Sequence, residues 1–474
     1  MKLEQVKYAY FLGIGGIGMS AIARYFNSIG IEVCGYDKTP SDLTIELEKE
    51  GIQIHFEENI RAIPSKFIAE KEKTLFIYTP AIPSTHKELV YLLQQEFTLF
   101  KRSEILGIIS RDAFCIAVAG THGKTTTSTM IAHILYEADI NFVAFLGGIS
   151  ANYNSNYLNK TDGTSLFPDK NIVVLEADEF DRSFHRLNPD IAVITAIDPD
   201  HLDIYHSAEA FRKAFIEFTH KIKRNGKLVY QYTLSENLNS GISNYTYGIT
   251  TDSNVNFRSR FEGVKNGYFT FNYQSTTEDE DSIADREVTG ITCGLPGFHN
   301  IENATAAIGV CLDILHLDRY DVKNGIKSFL GVKRRFEFIF RNDDYVVIDD
   351  YAHHPQELEA IISSVKELYP NKKITGIFQP HLFTRTRDFA DGFGKSLSML
   401  DELILMEIYP ARELPIEGID SEWLMQKVQT PKQLMDTDSI IKKIKTEKPE
   451  LLLILGAGDI DRLVPKIREV YATF

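Results

Sequence analysis

The feature that most constrains this fold is a glycine-rich turn between a buried strand and a helix. Residues 114–119 form an apolar run typical of a buried strand, and residues 125–137 alternate as an amphipathic helix does. The turn between them contains Gly-Lys-Thr, within the segment 119–126. A strand, a glycine turn and a helix in this order indicate a P-loop, in which backbone N–H groups and a helix N-terminus bind phosphate. The sequence therefore predicts an α/β domain that binds a nucleotide.

Each residue type in this turn suits phosphate binding. Gly120 and Gly123 let the backbone curl around phosphate oxygens without a Cβ in the way. Lys124 is predicted to reach the β- and γ-phosphates, and the Thr125 hydroxyl is predicted to bind Mg²⁺. The spacing is shorter than the strict GxxxxGK[ST] motif, because Val118 stands where the first glycine would be. The predicted nucleotide-binding set, to which the family resemblance described below assigns ATP, is Gly120, Thr121, His122, Gly123, Lys124, Thr125 and Thr126.

An acidic run follows the next predicted strand, residues 171–175. Glu176 comes first after that strand and is the expected Mg²⁺ ligand, since carboxylate oxygens suit this ion. Asp178, Glu179 and Asp181 are equally consistent with an acidic loop that faces water.

A histidine lies between two aspartates further along. His201 is flanked by Asp200 and Asp203 and follows another predicted strand, 191–196. We expect His201 to belong to the site. Because an imidazole is an unusual ligand for Mg²⁺, it would suit a second, looser cation position.

A second glycine-rich turn occurs near the N-terminus. Residues 13–18 satisfy GxGxxG between a strand and a helix, and Asp37 closes the following strand. This pattern alone indicates a Rossmann dinucleotide site. Any diphosphate at this helix N-terminus satisfies the same physics, so a nucleotide-sugar diphosphate fits as well as NAD. The candidate ligand-binding residues here are Gly13, Gly15, Gly16, Gly18 and Asp37.

Length and pattern predict an α/β protein of three domains. The 474 residues correspond to about three domains at roughly 150 residues each. We expect a Rossmann-like domain at 1–107, a P-loop domain with a mainly parallel sheet at 108–330, and a Rossmann-like domain at 331–474. The middle domain also contains a small β region, where Asn266-Gly267 predicts a hairpin turn.

Composition excludes several classes of partner and compartment. The formal net charge of −15 argues against a nucleic-acid polymer or an anionic membrane as partner. The four cysteines are far apart and form no CxxC pair, which favours a reducing cytosol over a disulfide framework. The N-terminus does not resemble a signal peptide, and no apolar run reaches the roughly 18 residues of a membrane span. A cytoplasmic location is expected.

Short motifs in a set order run through nearly the whole chain. They are Gly13 to Met19, Gly120 to Thr126, Glu176 to Asp181, Asp200 to Asp203, Gly297 to Asn303, Arg334 to Glu337, Asp349 to Pro355, Gln379 to His381 and Thr384 to Asp388. With these motifs in this order, the sequence resembles the Mur ligase family. Each motif alone is weak, and the set is specific.

The resemblance implies three domains with separate tasks. The first would hold a UDP-sugar, the second ATP, and the third would close over both. It also implies a reaction of peptidoglycan precursor synthesis. ATP phosphorylates the lactyl carboxylate of UDP-N-acetylmuramate, and the amine of L-alanine then attacks the acyl phosphate. This chemistry is reasonable because phosphorylation gives a carboxylate a good leaving group, so the protein mainly positions reactants and neutralises charge.

The resemblance also implies roles for individual residues. His299, Asn300 and Asn303 would contact the adenine side, and Arg335 and Asp350 the phosphates and ribose. The amino acid or the intermediate would meet Tyr351, His353, Arg385 and Arg387. The residues expected to act in catalysis are Lys124, Glu176, His201, His353 and Arg385, and those expected to bind metal are Thr125, Glu176 and His201.

Two positions depart from the family pattern. Leu382 stands where the family often has arginine after Gln-Pro-His, so one anion contact is absent or replaced. Several relatives carry a carbamylated lysine after the Asp-His segment. Lys213 and Lys221 are the nearest candidates here, but their spacing fits poorly, and no carbamate is predicted.

Three alternatives stay open. A recycling ligase that adds a murein tripeptide to the same sugar nucleotide shares the first two domains, although segments 350–355 and 384–388 favour alanine. A nicotinamide-dependent dehydrogenase explains Gly13 to Gly18 and Asp37 but leaves the P-loop without a role. A non-catalytic module switched by ATP would show no turnover. The expected partners are UDP-N-acetylmuramate and L-alanine, and the chain is expected to be a monomer or a weak homodimer.

Overall fold

The structure is a computed structural model that describes residues 3–198, 202–238, 241–276, 287–411 and 413–474. The chain divides into two compact units. Unit 1 comprises Met1–Ser259, Tyr273–Val288 and Asn303–Ile326, and unit 2 comprises Arg260–Asn272, Thr289–Glu302 and Lys327–Phe474. The described residues form three mainly parallel sheets, which confirms the predicted α/β class. No helix among these residues is long and apolar enough to cross a membrane.

The N-terminal part of unit 1 is a parallel sheet with helical crossovers. Its strands lie in the order β3-β2-β1-β4-β5, and each pair is parallel. Leu12 pairs with Tyr36, so the turns after β1 and β2 lie side by side. The elements are β1 (Tyr8–Leu12), α1 (Ile17–Ser28), β2 (Glu32–Tyr36), α2 (Asp42–Lys49), β3 (Gln53–His55), α3 (Ser65–Ala69), β4 (Thr74–Tyr78), α4 (Lys87–Gln94), β5 (Leu99–Lys101) and α5 (Arg102–Asp112).

The middle of the chain contains the strands that carry the P-loop. The elements are β6 (Phe114–Ala119), α6 (Lys124–Glu137), β7 (Phe142–Ser150), β8 (Ser155–Lys160), β9 (Ile172–Glu176), β10 (Ile191–Ile194), α7 (Leu202–Tyr205), α8 (Ala208–Thr219), β11 (Lys227–Gln231), β12 (Ser243–Ile249), β13 (Phe257–Lys265), β14 (Tyr268–Ser275), β15 (Glu287–Thr292), α9 (Phe298–Ile308) and α10 (Arg319–Ser328). In unit 1 the strands lie in the order β12-β11-β10-β6-β9-β7-β8. Only β8 is antiparallel to its neighbour in that order. The carboxyl ends of β6, β9 and β10 therefore meet at one edge.

Unit 2 contains the third sheet, in the order β16-β17-β21-β18-β19-β20. β16 is antiparallel to β17, and the other pairs are parallel. The elements are β16 (Glu337–Arg341), β17 (Val346–Asp350), α11 (Pro355–Leu368), β18 (Ile374–Phe378), α12 (Phe383–Asp388), α13 (Ala390–Leu397), β19 (Glu402–Leu405), α14 (Ser421–Met425), β20 (Lys432–Leu434), α15 (Thr437–Glu447), β21 (Leu451–Leu455) and α16 (Leu463–Tyr471).

Helix α1 packs against the β7–β8 hairpin inside unit 1. The Tyr25 ring lies 5.4 Å from that of Phe145 and 6.5 Å from that of Tyr157, measured between centroids. One apolar core cluster continues from α1 and β1 into β6, β9 and β10. This packing fixes the first glycine turn relative to the P-loop.

Candidate active site

The predicted P-loop lies at the carboxyl end of β6. Gly120 has a φ of 136° and Gly123 a φ of 79°, conformations that L side chains rarely adopt. A Cβ on Gly120 would overlap the Thr195 hydroxyl, and one on Gly123 would lie 2.5 Å from Oδ1 of Asn303. Both positions therefore require glycine, and the turn places Lys124 as the first residue of α6.

The other P-loop residues are held by their neighbours. The Thr121 hydroxyl oxygen accepts a hydrogen bond of 3.0 Å from the backbone N–H of Asp198. Nε2 of His122 lies 3.8 Å from the Asp198 carboxylate. Thr125 and Thr126 are buried in the first turn of α6. The loop is thus tied to the segment that follows β10.

Lys124 forms a buried ion pair that the sequence did not indicate. Its Nζ atom lies 2.8 Å from Oε1 of Glu179 and donates to the carbonyl of Gly120 at 2.5 Å. Although burial opposes the charge, the carboxylates around Lys124 raise its pKa, so the ammonium stays protonated. The interpretation of Glu179 as solvated is wrong, because its side chain is almost fully buried. Asp178 is partly exposed, and the side chain of Asp181 lies outside the described part of the chain.

Glu176 ends β9 beside the start of the P-loop, in register with Val118. Its carboxylate lies so close to Gly147 that a Cβ there would overlap it. Its Oε2 atom is buried and has no hydrogen-bond partner within the described residues. A buried carboxylate oxygen with a free lone pair fits a hard cation such as Mg²⁺. His201, the predicted residue for a second cation, lies outside the described residues.

The first glycine turn binds its own neighbouring carboxylate. Gly13 has a φ of 87°, and the N–H of Gly15 donates to Oδ2 of Asp37 at 2.7 Å. Gly16 is the N-cap of α1 and provides no side-chain cap. Asp37 therefore stabilises the turn, and the N-terminus of α1 is left with backbone N–H groups as its donors.

Gly18 lies against Arg102, a residue that sequence reasoning missed. A Cβ on Gly18 would lie 2.9 Å from Cδ and 3.1 Å from Cζ of Arg102. Nη2 of Arg102 donates to Oδ2 of Asp178 at 2.8 Å. A basic pair, Lys101-Arg102, at the carboxyl end of β5 was the available signal, because carboxyl ends of parallel strands form sites.

In unit 2, the charge of Arg335 acts on two other residues that are expected to contact the nucleotide, His299 and Asp350. Burial, with a smaller effect of the Arg335 charge, lowers the pKa of His299 to about 4. Burial raises the pKa of Asp350 to about 6. The carboxylate of Asp350 accepts backbone hydrogen bonds from Phe336 at 2.7 Å and Ala352 at 2.8 Å. The structure thus brings together His299, Arg335 and Asp350.

The two asparagines on α9 have different surroundings. The Asn300 amide donates to the carbonyl of Pro296 at 2.7 Å and so holds the start of the helix. Oδ1 of Asn303 accepts from the Thr127 hydroxyl at 3.1 Å, which places Asn303 beside the P-loop helix. A cavity of about 370 Å³ opens next to His299. Its lining residues are Phe298, His299, Gln356, Glu359, Ala360, Ser363 and Ser364.

The residues expected to meet the amino acid form a cluster at the edge of the third sheet. The ring of His353 lies 5.2 Å from that of Tyr351 and 6.1 Å from that of His381. Nη1 of Arg385 lies 3.3 Å from Nδ1 of His381, a residue of the Gln379 to His381 motif to which the sequence analysis assigned no role. Arg387 does not join them, since it is exposed and pairs with the next residue along the chain.

Comparison with known proteins identifies the family. Three models match in succession: "Mur ligase family, catalytic domain" over residues 8–113, "Mur ligase middle domain" over 118–311, and "Mur ligase, glutamate ligase domain" over 334–458. The chain is 46% identical over 470 residues to a UDP-N-acetylmuramate–L-alanine ligase of Flavobacterium psychrophilum, with 99% of each chain covered. The chain belongs to the Mur ligase family. This membership favours the ligase interpretation over the dehydrogenase.

Further relatives and solved structures are similar to this chain over nearly its whole length. The chain is 46% identical over 473 residues to a UDP-N-acetylmuramate–L-alanine ligase of Parabacteroides distasonis, covering 99% of this chain and 98% of the relative. A solved UDP-N-acetylmuramate–alanine ligase of Thermotoga maritima matches with a TM-score of 0.76 and 27% identity, over 98% of this chain and 99% of that one. A murein peptide ligase of Psychrobacter arcticus shares the fold, with a TM-score of 0.68, 21% identity and 99% of both chains covered.

Proposed function

We propose that this Mur ligase joins L-alanine to the lactyl carboxylate of UDP-N-acetylmuramate and converts ATP into ADP and phosphate. The observation that carries the proposal is the full-length identity of 46% with a UDP-N-acetylmuramate–L-alanine ligase. The two glycine turns support it, because the reaction needs one site for a triphosphate and another for a diphosphate. Residues 1–107 hold the UDP-sugar, residues 108–330 hold ATP, and residues 331–474 receive the amino acid and close over both.

The first step activates the carboxylate. One lactyl oxygen forms a bond to the γ-phosphorus of ATP, the bond to the β,γ-bridging oxygen breaks, and ADP leaves. Lys124 and the backbone N–H groups of the P-loop stabilise the charge on the transferring group. In binding phosphate, the Lys124 ammonium exchanges part of its contact with Glu179, 2.8 Å away, for phosphate oxygens.

Magnesium belongs to this step. The Thr125 hydroxyl and the Glu176 carboxylate would hold Mg²⁺, and the ion would neutralise charge on the β- and γ-phosphates. The orphaned Oε2 atom of Glu176 supports this assignment. His201 is proposed for a second cation.

The second step forms the amide bond. The neutral amine of L-alanine attacks the acyl carbon, a C–N bond forms, the C–O bond to phosphate breaks, and inorganic phosphate leaves while nitrogen loses a proton. Arg385 suits the alanine carboxylate through paired hydrogen bonds. His353 lies beside Tyr351 and is the proposed group to receive the proton.

Location and assembly complete the proposal. The four cysteines are buried and unpaired, which supports a reducing cytoplasm. We place the protein there as a monomer or weak homodimer, with the soluble substrates as its partners.

The deciding assay measures ADP release from ATP and UDP-N-acetylmuramate with each acceptor in turn. L-Alanine is expected to support turnover, and serine and glycine define the selectivity. The murein tripeptide is the matched competitor, because the structural relatives include a murein peptide ligase. Phosphate release with the tripeptide alone would show that the proposed acceptor is wrong.

A further inference from the structure

The first turn of α12 is capped by a carboxylate from a distant part of the chain. Its N-cap residue is Leu382, whose side chain cannot accept a hydrogen bond from the N–H groups at the start of the helix. Oε2 of Glu413, 29 residues after Thr384, accepts from the Thr384 backbone N–H at 3.0 Å. Oε1 of the same carboxylate accepts from the Thr384 hydroxyl. Glu413 thus binds both donors of one residue through charge-assisted hydrogen bonds.

The backbone just before this turn is strained. Leu382 has a φ of 72° and a ψ of 135°, a conformation that residues other than glycine rarely adopt. Its N–H donates to the carbonyl of Tyr409 at 2.9 Å, and its carbonyl accepts from the N–H of Thr386 at 3.1 Å. The N–H of Tyr409 in turn donates to the carbonyl of Pro380 at 2.8 Å. Such strain persists where neighbouring contacts determine the conformation, and it is concentrated at functional sites.

The strained turn lies between His381 and Arg385, two members of the cluster at the edge of the third sheet. Nη1 of Arg385 lies 3.3 Å from Nδ1 of His381, and the His381 ring is stacked on that of Tyr409. Burial, with smaller effects of the His353 and Arg385 charges, lowers the pKa of His381 to about 4, whereas the Glu413 charge acts in the opposite direction. Glu413 is therefore close enough to this cluster for its charge to act on it.

Arg385 is the residue that we propose for the carboxylate of L-alanine. Paired hydrogen bonds between a guanidinium and a carboxylate require the two planar groups to be aligned. Because Arg385 directly follows Thr384, a shift of the first turn of α12 would displace its guanidinium. A displacement of about 1 Å at a substrate-positioning residue can lower a rate on the order of a hundredfold.

We propose that Glu413 is a positioning residue for the amino acid: by binding Thr384, it fixes the first turn of α12 and orients Arg385 towards the carboxylate of L-alanine. This inference rests on the proposed function and adds to it a residue that acts through Arg385.

The test measures kcat and the KM values of L-alanine, ATP and UDP-N-acetylmuramate for the full-length protein. Glu413→Ala is expected to raise the KM of L-alanine on the order of ten- to a hundredfold, because Arg385 loses its fixed orientation. The KM values of ATP and UDP-N-acetylmuramate are expected to stay within about twofold of wild type, since those ligands are proposed to bind at other turns. Glu417→Ala is the matched control, because Glu417 is an exposed glutamate four residues further on.

Thr384 offers a second variant that leaves the carboxylate in place. Thr384→Val replaces the hydroxyl by a methyl group and removes one of the two donors, so the KM of L-alanine is expected to rise by a smaller factor than in Glu413→Ala. Thr384→Ser keeps the hydroxyl and is expected to have a KM near that of the wild type. The double variant Glu413→Ala/Arg385→Ala is expected to have the same kcat/KM for L-alanine as Arg385→Ala alone, because no guanidinium is left to orient.

Hydroxylamine, a nucleophile without a carboxylate, separates positioning of the amino acid from damage to the catalytic centre. It offers Arg385 no carboxylate to bind, so the rate of ADP release with saturating hydroxylamine is expected to be alike in wild type and Glu413→Ala. An equal loss with hydroxylamine and with L-alanine would show that Glu413 supports the whole catalytic centre, and the inference would be wrong.

Other outcomes would also overturn the inference. A purely structural cap predicts a lower thermal midpoint for Glu413→Ala with an unchanged KM of L-alanine, or equal increases in all three KM values. Losses that add in the double variant would show that Glu413 acts independently of Arg385. If the wild type released no ADP with L-alanine, the proposed function would fail as well, whereas normal wild-type turnover with unaffected variants would refute this inference alone.

Discussion

At the scale of single residues, the buried pair of Lys124 and Glu179 is the most consequential contact of the P-loop. The Glu179 side chain is 3% exposed and that of Lys124 is 14% exposed. Removing one member of such a pair leaves the other as a buried, uncompensated charge. The pair therefore has two effects that must be separated: it keeps the lysine charged for phosphate, and it stabilises the loop.

Lys124→Ala is expected to lower kcat by a factor of roughly 10²–10³, because a charge aimed at the transferring phosphoryl group is lost. Affinity for UDP-N-acetylmuramate should stay within about twofold of wild type, since that ligand is proposed to bind at a different turn. Steady-state ADP release and calorimetry check both values. The double variant Lys124→Ala/Glu179→Gln removes the orphaned charge, and Lys170→Ala, at an exposed position, is the control. Equal loss of UDP-sugar binding would contradict the separation of the two sites.

The residues predicted from sequence and those missed differ in one physical respect. Gly120, Gly123 and Lys124 were predictable because a P-loop is continuous in sequence and its conformation needs those residue types. Glu179 and Arg102 act through partners 55 and 76 residues away, respectively. In the sequence, these two charged residues look like ordinary surface residues. Only the tertiary structure places Glu179 beside Lys124 and Arg102 beside Asp178.

At the scale of elements, α1 is attached to the β7–β8 hairpin by a buried amide. Nδ2 of Asn156 donates to Oγ of Ser20 at 2.8 Å and to the carbonyl of Ile17, and its Oδ1 accepts from Arg24. Asn156 is fully buried. Three polar groups of α1 therefore each form a hydrogen bond with this one buried side chain.

Asn156→Ala is expected to lower the free energy of unfolding by about 1–3 kcal/mol, because each of its partners in α1 loses one hydrogen bond. A lower urea midpoint in the unfolding curve would register this change. Asn159→Ala is the matched control, since Asn159 is in the same strand but exposed. Equal midpoints for the two variants would show that the amide does not hold α1 to the hairpin.

Helix α6 also contains a buried histidine behind the P-loop. Nδ1 of His133 is 2.6 Å from the Tyr153 hydroxyl, and burial lowers the pKa of His133 to about 4 from its ordinary 6.5. Between these values the unfolded chain binds a proton that the folded chain does not. The part of the free energy of unfolding that depends on neutral His133 is therefore fully present above pH 6.5, and it is lost as the pH falls towards 4.

His133→Gln is expected to flatten this part of the pH dependence. The thermal midpoint of the wild type should fall more than that of His133→Gln between about pH 7 and about pH 5. Differential scanning calorimetry at matched buffer ionization enthalpy measures both profiles. His220→Gln, at an exposed position after α8, should keep the wild-type slope. Parallel profiles for wild type and His133→Gln would assign the acid sensitivity to other groups.

Elements were more predictable than their packing. The strand–turn–helix units and the Asn266-Gly267 hairpin follow from local pattern, and the structure confirms the turn, with φ of 53° and 74° at its two residues. The contact of α1 with β7 and β8 has no such local signal. In the sequence, Tyr25 is an ordinary aromatic residue and Asn156 is an ordinary turn residue. Only the tertiary structure places Tyr25 against the β7–β8 hairpin and Asn156 against α1.

At the scale of the whole molecule, a chain of net charge −15 is proposed to bind two nucleotides and a carboxylate, all anionic. Long-range attraction cannot supply that binding, because the overall field repels anions. The positive charges are instead local: Lys124 in the P-loop, Arg102 at α1, and Arg335 beside His299 and Asp350. An assay of carboxylate activation and capture therefore tests whether these local positive charges act together in the complete protein.

Hydroxylamine supplied in place of L-alanine is expected to capture the activated carboxylate. Its nitrogen attacks the acyl carbon, phosphate leaves, and the hydroxamate of UDP-N-acetylmuramate forms together with an equal amount of ADP. Mass spectrometry of the nucleotide products checks this stoichiometry, and omission of UDP-N-acetylmuramate should abolish both products. Lys124→Ala should form both products more slowly by a factor of roughly 10²–10³, because the phosphoryl transfer precedes capture. Formation of AMP and pyrophosphate would show that the carboxylate is activated by adenylation, and the role given to the γ-phosphate would have to be abandoned.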